Sequence, residues 1–252
     1  MLAGRFEKGA HMAIRDTLEA MIPESIKKII RPIRNRFIKK YDAELSFWRS
    51  RLKIDNGRIK NYDYEQLMLA MAGETTDDFL KGKIIADFGC GPLGTLAWAD
   101  SALLRIGIDV LADRYADEFK DNITSHGMIY LKSTEKVIPL PSGFVDIMFT
   151  RNAMDHVDNF SIMCNEIVRV LKPGGEFIGC FNLEEPPSPC EPQQLNEKVI
   201  KENLLSKLEV QSYRITEKGP KENQYAPFFI NGSLSYRPGQ EGFLWVRARK
   251  PS

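Results

Sequence analysis

The spacing of apolar positions changes character near residue 83 of the 252-residue chain. Ahead of that point the period is helical and basic, from residue 13 to about 60. Ile26, Ile29, Ile30, Ile33 and Phe37 recur at helical spacing, and Lys27, Lys28, Arg31, Arg34 and Arg36 take the other faces. Pro32 lacks a backbone donor and should break or kink this segment. Phe47 and Trp48 within ELSFWRSRL offer aromatic anchors, and Tyr62 to Gly73 predicts an amphipathic helix stopped by its glycine. Beyond Lys83, short apolar runs alternate with helical stretches. Strands are predicted at 84–88, 105–110, 128–131, 144–150 and 176–181, with helices through TLAWADSALL and over 114–122 and 161–171. KPGG, at 172–175, stops the last of these helices. The stretch 133–143 is too short and proline-rich to hold much of a helix. A further helix is predicted in EPQQLNEKVIKENLLSKL, then strands in LEVQSYRIT and GFLWVRARK. Strands joined by helical crossovers imply an α/β, largely parallel sheet with helices on both faces. The last two strands, joined by an irregular connection, fit an antiparallel finish.

Composition adds limits to this outline. Hydrophobic residues make up 43% and charged residues 27%, the balance of a soluble protein with one sizeable core. No apolar run approaches the roughly 20 residues that span a bilayer, and no secretory signal pattern opens the chain. Cys90, Cys164, Cys180 and Cys190 have no CxxC spacing and read as reduced thiols of a cytoplasmic protein. Residues 1–60 hold 15 Lys/Arg against 7 Asp/Glu, whereas the remainder is acidic by 27 to 20. A basic arm, 1–75, on an acidic domain, 76–252, is therefore expected. Lys8 to Met12, KGAHM, looks like a vector-derived junction, so the first 11 or so residues are expected to be foreign and the native start to be Met12.

The candidate chemistry begins in IIADFGCGPLGTL, Ile84 to Leu96. Gly89, Gly91 and Gly94 have the GxGxxG spacing and allow positive φ and close backbone approach to a ligand. A helix expected to start near Gly94 would turn free N–H groups toward a carboxylate or phosphate. Asp109 ends the second strand, 20 residues after Gly89, where an acid accepts hydrogen bonds from both hydroxyls of a ribose. Asp113 is the better cap for the following helix, which leaves Asp109 without that local task. The glycine spacing alone fits NAD. Asp87 argues otherwise, because a carboxylate repels a pyrophosphate and attracts an ammonium group.

ADFGCGPLG, GIDV, IPLPSGFVDIMFTRNAMDHV and VLKPGGEFIG follow one another in the order and spacing of class I S-adenosylmethionine-dependent methyltransferases. The chain most resembles their small-molecule branch, the methyltransferase type 11 group, over about residues 80–182. The resemblance implies a Rossmann-like, mostly parallel seven-stranded sheet with an antiparallel C-terminal strand and, here, an N-terminal helical extension. It implies S-adenosyl-L-methionine as cofactor and S-adenosyl-L-homocysteine as product. Asp87, Gly89, Cys90 and Gly91 would then cradle the methionine part, and Asp109 with Val110 the ribose. Ser133, Thr134 and Glu135 would flank the adenine, with Ser133 standing where the family often has an acid. Asn152 would touch cofactor or acceptor. Pro92 offers no N–H, so its neighbours must complete the cradle.

The segment after the fourth strand faces the reacting methyl group in that family. His156 is accordingly the leading general base or substrate-positioning residue, with Asp155 or Asp158 in support. Asn182, Glu184 and Glu185 are expected beside an acceptor pocket suited to a polyhydroxylated or cationic molecule. No HxxxH or paired-acid spacing compels a divalent metal, so no metal ligand is assigned and metal dependence stays open. O-methylation of a small molecule or a sugar or glycan is the expected reaction. A non-catalytic cofactor-binding scaffold and an NAD-dependent oxidoreductase stand as alternatives. The basic arm serves as a lid over the site or as a peripheral contact to an anionic membrane inner surface. The absence of a second basic groove argues against nucleic acid. Nothing in the residues bears on oligomeric state.

Overall fold

The structure, a computed structural model, describes residues 40–54, 62–221, 223–230 and 236–252. The helical reading of 13–39, the Pro32 kink, the start at Met12 and most of the basic arm lie outside the described residues. Among the described residues, no helix is long and apolar enough to cross a membrane.

Seven strands make one sheet in the order β3-β2-β1-β4-β5-β7-β6. β1 (Ile84–Phe88), β2 (Leu104–Asp109), β3 (Ile129–Lys132), β4 (Val145–Arg151) and β5 (Leu171–Leu183) run parallel. β6 (Glu209–Glu217) pairs only with β7 (Gly242–Arg249), which is antiparallel to both β6 and β5. The expected single antiparallel strand is therefore β7. Strand order reverses between β1 and β4, which opens a crevice beyond their carboxyl ends.

The helices are α1 (Lys40–Ile54), α2 (Tyr62–Ala72), α3 (Ala112–Glu118), α4 (Lys120–Ile123), α5 (Phe160–Val170), α6 (Glu197–Asn203) and α7 (Ala226–Phe229). Alternation along the strands sorts their side chains onto two buried faces. Ala86, Ile106, Met148 and Phe177 pack with Met163 and Ile167 of α5 and Ile200 of α6. Ile85, Ile147, Ile178 and Trp245 pack with Leu67, Met68 and Met71 of α2. α2 thus shares the core of the sheet, although a boundary near residue 75 places it in the arm. α1 buries Leu45 against Leu111, Tyr115 and Phe119.

Caps decide where two helices begin. The Asn159 side chain accepts the Ile162 N–H at 3.0 Å and starts α5, and Asn196 accepts the Val199 N–H at 2.9 Å and starts α6. The second cap explains why the helix expected from Glu191 begins only at Glu197. The helix expected through TLAWADSALL does not form. Residues 91–103 make successive turns instead, closed by Ala97 N–H to Gly94 O at 3.0 Å and Ala99 N–H to Leu96 O at 3.1 Å. Gly91 and Gly94 hold φ of +55° and +68°, Pro92 has no donor, and the His126 ring lies 2.4 Å from where a Gly94 Cβ would stand. A left-handed, sterically pinned entry cannot nucleate a right-handed helix. The anticipated helix N-terminus is consequently missing from the site, and the Gly89 and Cys90 N–H groups donate to Ile108 O at 2.8 and 3.4 Å, while that of Gly91 donates to Asp109.

Glu176 on β5 ties the sheet to α2. Its carboxylate accepts from Arg247 at 2.8 and 3.0 Å and from Arg249 at 3.0 Å, while Arg247 also reaches Glu74 at 2.9 Å. Burial raises the Glu176 pKa, but the hydrogen bonds from Arg249 and Arg247 outweigh it and hold the carboxyl below its usual range. Glu176→Ala should cost about 2–3 kcal/mol at neutral pH. Because the native pKa is depressed, this stabilisation exists above the unfolded value and fades as pH falls through the native one. Urea midpoints of the two proteins should therefore converge in acid. A gap that stays constant with pH would contradict the ion-pair account.

Candidate active site

A cavity of about 390 Å³ lies beyond the carboxyl ends of β1, β2 and β4. Asp87, Gly89, Cys90, Gly91, Asp109, Val110, Ser133, Thr134, Glu135, Asn152 and His156 all line it. Asp155 stands one layer behind the wall, beside His156.

At one end, Asp87 is 2% exposed. One carboxylate oxygen accepts from the Thr95 hydroxyl, and the other, Oδ1, is buried without a partner. Burial pushes its pKa up to about 7, against the Thr95 hydrogen bond and the charge of Arg151. Arg151, at the end of β4, is stacked 4.1 Å from the Tyr64 ring and donates to its hydroxyl at 2.6 Å. Burial lowers its pKa, and the neighbouring Tyr64, Tyr225 and Asp87 more than offset that. An unpartnered carboxylate oxygen and a buried guanidinium on one cavity wall fit the ammonium and carboxylate of an amino-acid zwitterion.

The loop is shaped by close approach. Gly89 holds φ +73°, and a Cβ there would stand 2.1 Å from the Ala153 Cβ. A Cβ on Gly91 would meet the Trp48 ring of α1 at 2.7 Å. Asp109 accepts the Gly91 N–H at 3.0 Å and the Leu111 N–H at 2.9 Å. It therefore does perform a local task, and Asp113 pairs instead with Lys132. Each Asp109 oxygen keeps acceptor capacity toward the cavity. Its pKa rises to about 6 through burial, opposed by those two backbone bonds.

The third wall comes from the β3–β4 connection. Ser133 N–H donates to Asp109 O at 3.1 Å. The Thr134 hydroxyl is engaged by the Lys136 and Val137 N–H groups at 3.2 and 3.0 Å. Glu135 accepts from Lys40 at 2.7 Å, from the Tyr41 hydroxyl at 2.8 Å and from the Asp158 N–H at 3.0 Å. These contacts draw α1 across the cavity, which Tyr41, Glu44, Phe47 and Trp48 help to line. Asn152 adopts φ +47° and donates to the Tyr225 hydroxyl at 2.8 Å.

At the far end His156 stands among three acids. Its Nδ1 lies 3.4 Å from Glu44, and its Nε2 lies 3.6 Å from Glu191 and 4.0 Å from Asp155. Burial alone would lower its pKa, but the Glu44 contact and the charges of Asp155, Glu44 and Glu191 raise it to about 9. With no further ligand the ring is an imidazolium at neutral pH and has no lone pair with which to accept a proton. Asp158 instead forms an exposed ion pair with Lys40 at 2.8 Å. The loop after β5 contributes differently from expectation. Glu184 accepts from Gln194 at 3.4 Å and Glu185 pairs with Lys218, whereas Ser188, Cys190 and Glu191 reach the cavity. Asn182 donates to Asp155 at 2.8 Å. Arg151 had a local signal, a cation closing an apolar strand. Trp48, expected as an aromatic anchor, meets the glycine loop at Gly91, whereas Glu44 and Glu191 had no signal, because only the tertiary fold brings them here.

Residues 86–179 match a family model described as a methyltransferase domain. The chain is 28% identical over 92 residues to malonyl-[acyl-carrier protein] O-methyltransferase of Enterobacter lignolyticus, across 36% of each chain. It thus covers little more than a third of the length of the curated relatives it matches. Its fold is shared with the [4+2]-cyclase SpnF at 18% identity and TM-score 0.55, over 74% of this chain and 80% of that one. It is shared also with a SAM-dependent methyltransferase from Aquifex aeolicus at 21% identity and TM-score 0.51, over 75% and 90%. Identities this low speak for the fold alone, and a fold does not fix a reaction. The family match over residues 86–179 and the strand order are together consistent with a class I S-adenosylmethionine-dependent methyltransferase domain.

Proposed function

We propose that the protein transfers a methyl group from S-adenosylmethionine to an oxygen of a small-molecule or glycan acceptor. The observation that carries this reading is the free, buried Oδ1 of Asp87, on the same cavity wall as Arg151. Asp87 and Arg151 would hold the amino-acid end of the cofactor, and Asp109 its ribose hydroxyls. When bound, S-adenosylmethionine supplies a methyl group already activated for nucleophilic attack. The chain's own tasks are to place the acceptor in line, exclude water and receive a proton. Glu44 and Glu191 face the cavity and can receive that proton, whereas the protonated His156 would orient the acceptor by donating a hydrogen bond. Acidic walls suit an acceptor rich in hydroxyl donors, and the O-methyltransferase from Enterobacter lignolyticus supports oxygen as the target. α1 would act as a lid, since Trp48 seats on Gly91 and Lys40 and Tyr41 latch onto Glu135.

Calorimetry is expected to show one equivalent of S-adenosylhomocysteine bound and no NAD. Labelled S-adenosylmethionine is expected to mark an acceptor in glycan or metabolite extracts. NAD binding would revive the oxidoreductase reading. S-adenosylhomocysteine binding without label transfer to any extract would favour the scaffold.

A further inference from the structure

Among the described residues, one group of side chains has the makings of a metal centre. A carboxylate oxygen of Asp155, a ring nitrogen of His156 and a Glu191 carboxylate oxygen all lie within 4.8 Å of one another. Acidic clusters are common without ions, so the arrangement around these atoms decides what the cluster can do. Asp155 is 2% exposed, and its Oδ1 is buried with no hydrogen-bond partner. A buried, unpartnered carboxylate oxygen is costly unless something charged satisfies it, and this one points at His156 Nε2 from 4.0 Å.

Each of the three side chains is also held by its other polar atom. Asn182 Nδ2 donates to Asp155 Oδ2 at 2.8 Å, leaving Oδ1 free. The Ser188 hydroxyl donates to Glu191 Oε2 at 2.9 Å, leaving Oε1 toward the imidazole at 3.6 Å. Glu44 lies 3.4 Å from His156 Nδ1, on the side of the ring away from Asp155 and Glu191. A ring nitrogen turned to a carboxylate, with the opposite nitrogen directed at further acids, is the outer-shell pattern that orients histidine ligands. Ligands about 2.1 Å from one ion stand about 3.0–3.5 Å apart in octahedral or tetrahedral arrangements. The 3.6 and 4.0 Å separations from Nε2, and the Asp155–Glu191 separation of up to 4.8 Å, contract when an ion is bound.

We propose that Asp155, His156 and Glu191 form a binding site for one divalent transition-metal ion, with open coordination positions toward the cavity. One imidazole and two carboxylates suit manganese, iron or zinc better than calcium or magnesium. His156 and Glu191 line the cavity that Asp87 and Asp109 share, so an oxygen-bearing molecule in that cavity can complete the coordination. If the cavity is the methyl-transfer site, that molecule is the acceptor; with the ion bound, His156 and Glu191 act as ligands in place of their roles in the ion-free cavity, and Glu44 receives the proton. The metal site itself does not depend on the methyl-transfer reading.

The test uses the full-length protein, stripped with a chelator and titrated with Mn²⁺ and, separately, Zn²⁺. One equivalent of each is expected to bind, and pulsed electron paramagnetic resonance of the Mn²⁺ form should show coupling to a histidine nitrogen. Glu191→Gln, at a loop position, should weaken Mn²⁺ binding at least tenfold with S-adenosylhomocysteine binding and Tm preserved. Asp155→Asn should weaken it further. Glu44→Gln should weaken it less, with the nitrogen coupling retained. Neither ion binding stoichiometrically, Mn²⁺ bound without a nitrogen coupling, or undiminished affinity in Glu191→Gln would each overturn the proposal. S-adenosylhomocysteine binding is read separately, so failure of the metal site and failure of the cofactor site give different results.

Discussion

Asp87→Asn should weaken S-adenosylhomocysteine binding by about 100-fold or more and, at pH 8, raise the Tm of the ligand-free protein. The two effects share one cause. The carboxylate is buried with one oxygen unpartnered, and burial lifts its pKa to about 7. Between the ordinary aspartate value of 3.8 and about 7, the folded protein binds a proton that the unfolded chain has released. Stability therefore falls as pH rises through this window, and above it the charge costs the ligand-free fold roughly 2–4 kcal/mol. Asparagine has similar shape and carries no charge, so it relieves the cost. Cofactor binding runs the other way. An ammonium group opposite Oδ1 favours the carboxylate, and a charge-assisted contact in a dry site is worth a few kcal/mol. Affinity of the wild type should drop as pH falls from 8 to 6, with a proton released on binding near pH 7. The asparagine variant should lose both this drop and the proton release. Calorimetry in buffers of different ionisation enthalpy reads each quantity, and an asparagine variant that binds like wild type would remove Asp87 from the site.

Gly89→Ala should be the most damaging single-methyl change in the molecule. A Cβ at Gly89 would lie 2.1 Å from that of Ala153, a contact between two short groups on β1 and β4 connections that have no flexible end to yield. Positive φ adds about 1–2 kcal/mol, and overpacking a tight contact adds about 1–3 kcal/mol. The sum predicts a Tm lower by about 5–15 °C for a domain of this size, with loss of S-adenosylhomocysteine binding as the loop moves. Gly73→Ala separates the two contributions. Gly73 has nearly the same φ, +71°, with nothing within 4 Å of the added methyl. It should therefore lose only the backbone part and bind normally. Equal losses at both positions would show that the Ala153 contact contributes nothing.

The parts of this molecule that were readable residue by residue are those governed by neighbours in the chain. Strand positions followed from short apolar runs, and the place of β5 from the turn residues of KPGG. β5 nevertheless starts at Leu171 and bulges, because pairing with β4 recruits the turn into the ladder. The helix expected after the glycine loop failed for a nonlocal reason. TLAWADSALL has helical spacing, but the His126 ring pressed against Gly94 and the left-handed glycines leave no room for a helical first turn. Asp87 and Asp109 were legible because each sits at a fixed offset from a glycine loop on its own strand. Their charge states were not legible, since they come from burial beneath α1 and from Arg151, Thr95 and the Leu111 N–H.

The sequence by itself determined an α/β sheet, because local period encodes it, and its resemblance to a methyltransferase family carried the cofactor class and the candidacy of Asp87 and Asp109. Only the tertiary structure decided what surrounds His156. Glu44 comes from α1, Asp155 from the loop after β4 and Glu191 from the loop after β5. Elements more than a hundred residues apart thus converge on one ring, and their summed charge turns a candidate base into an imidazolium among carboxylates.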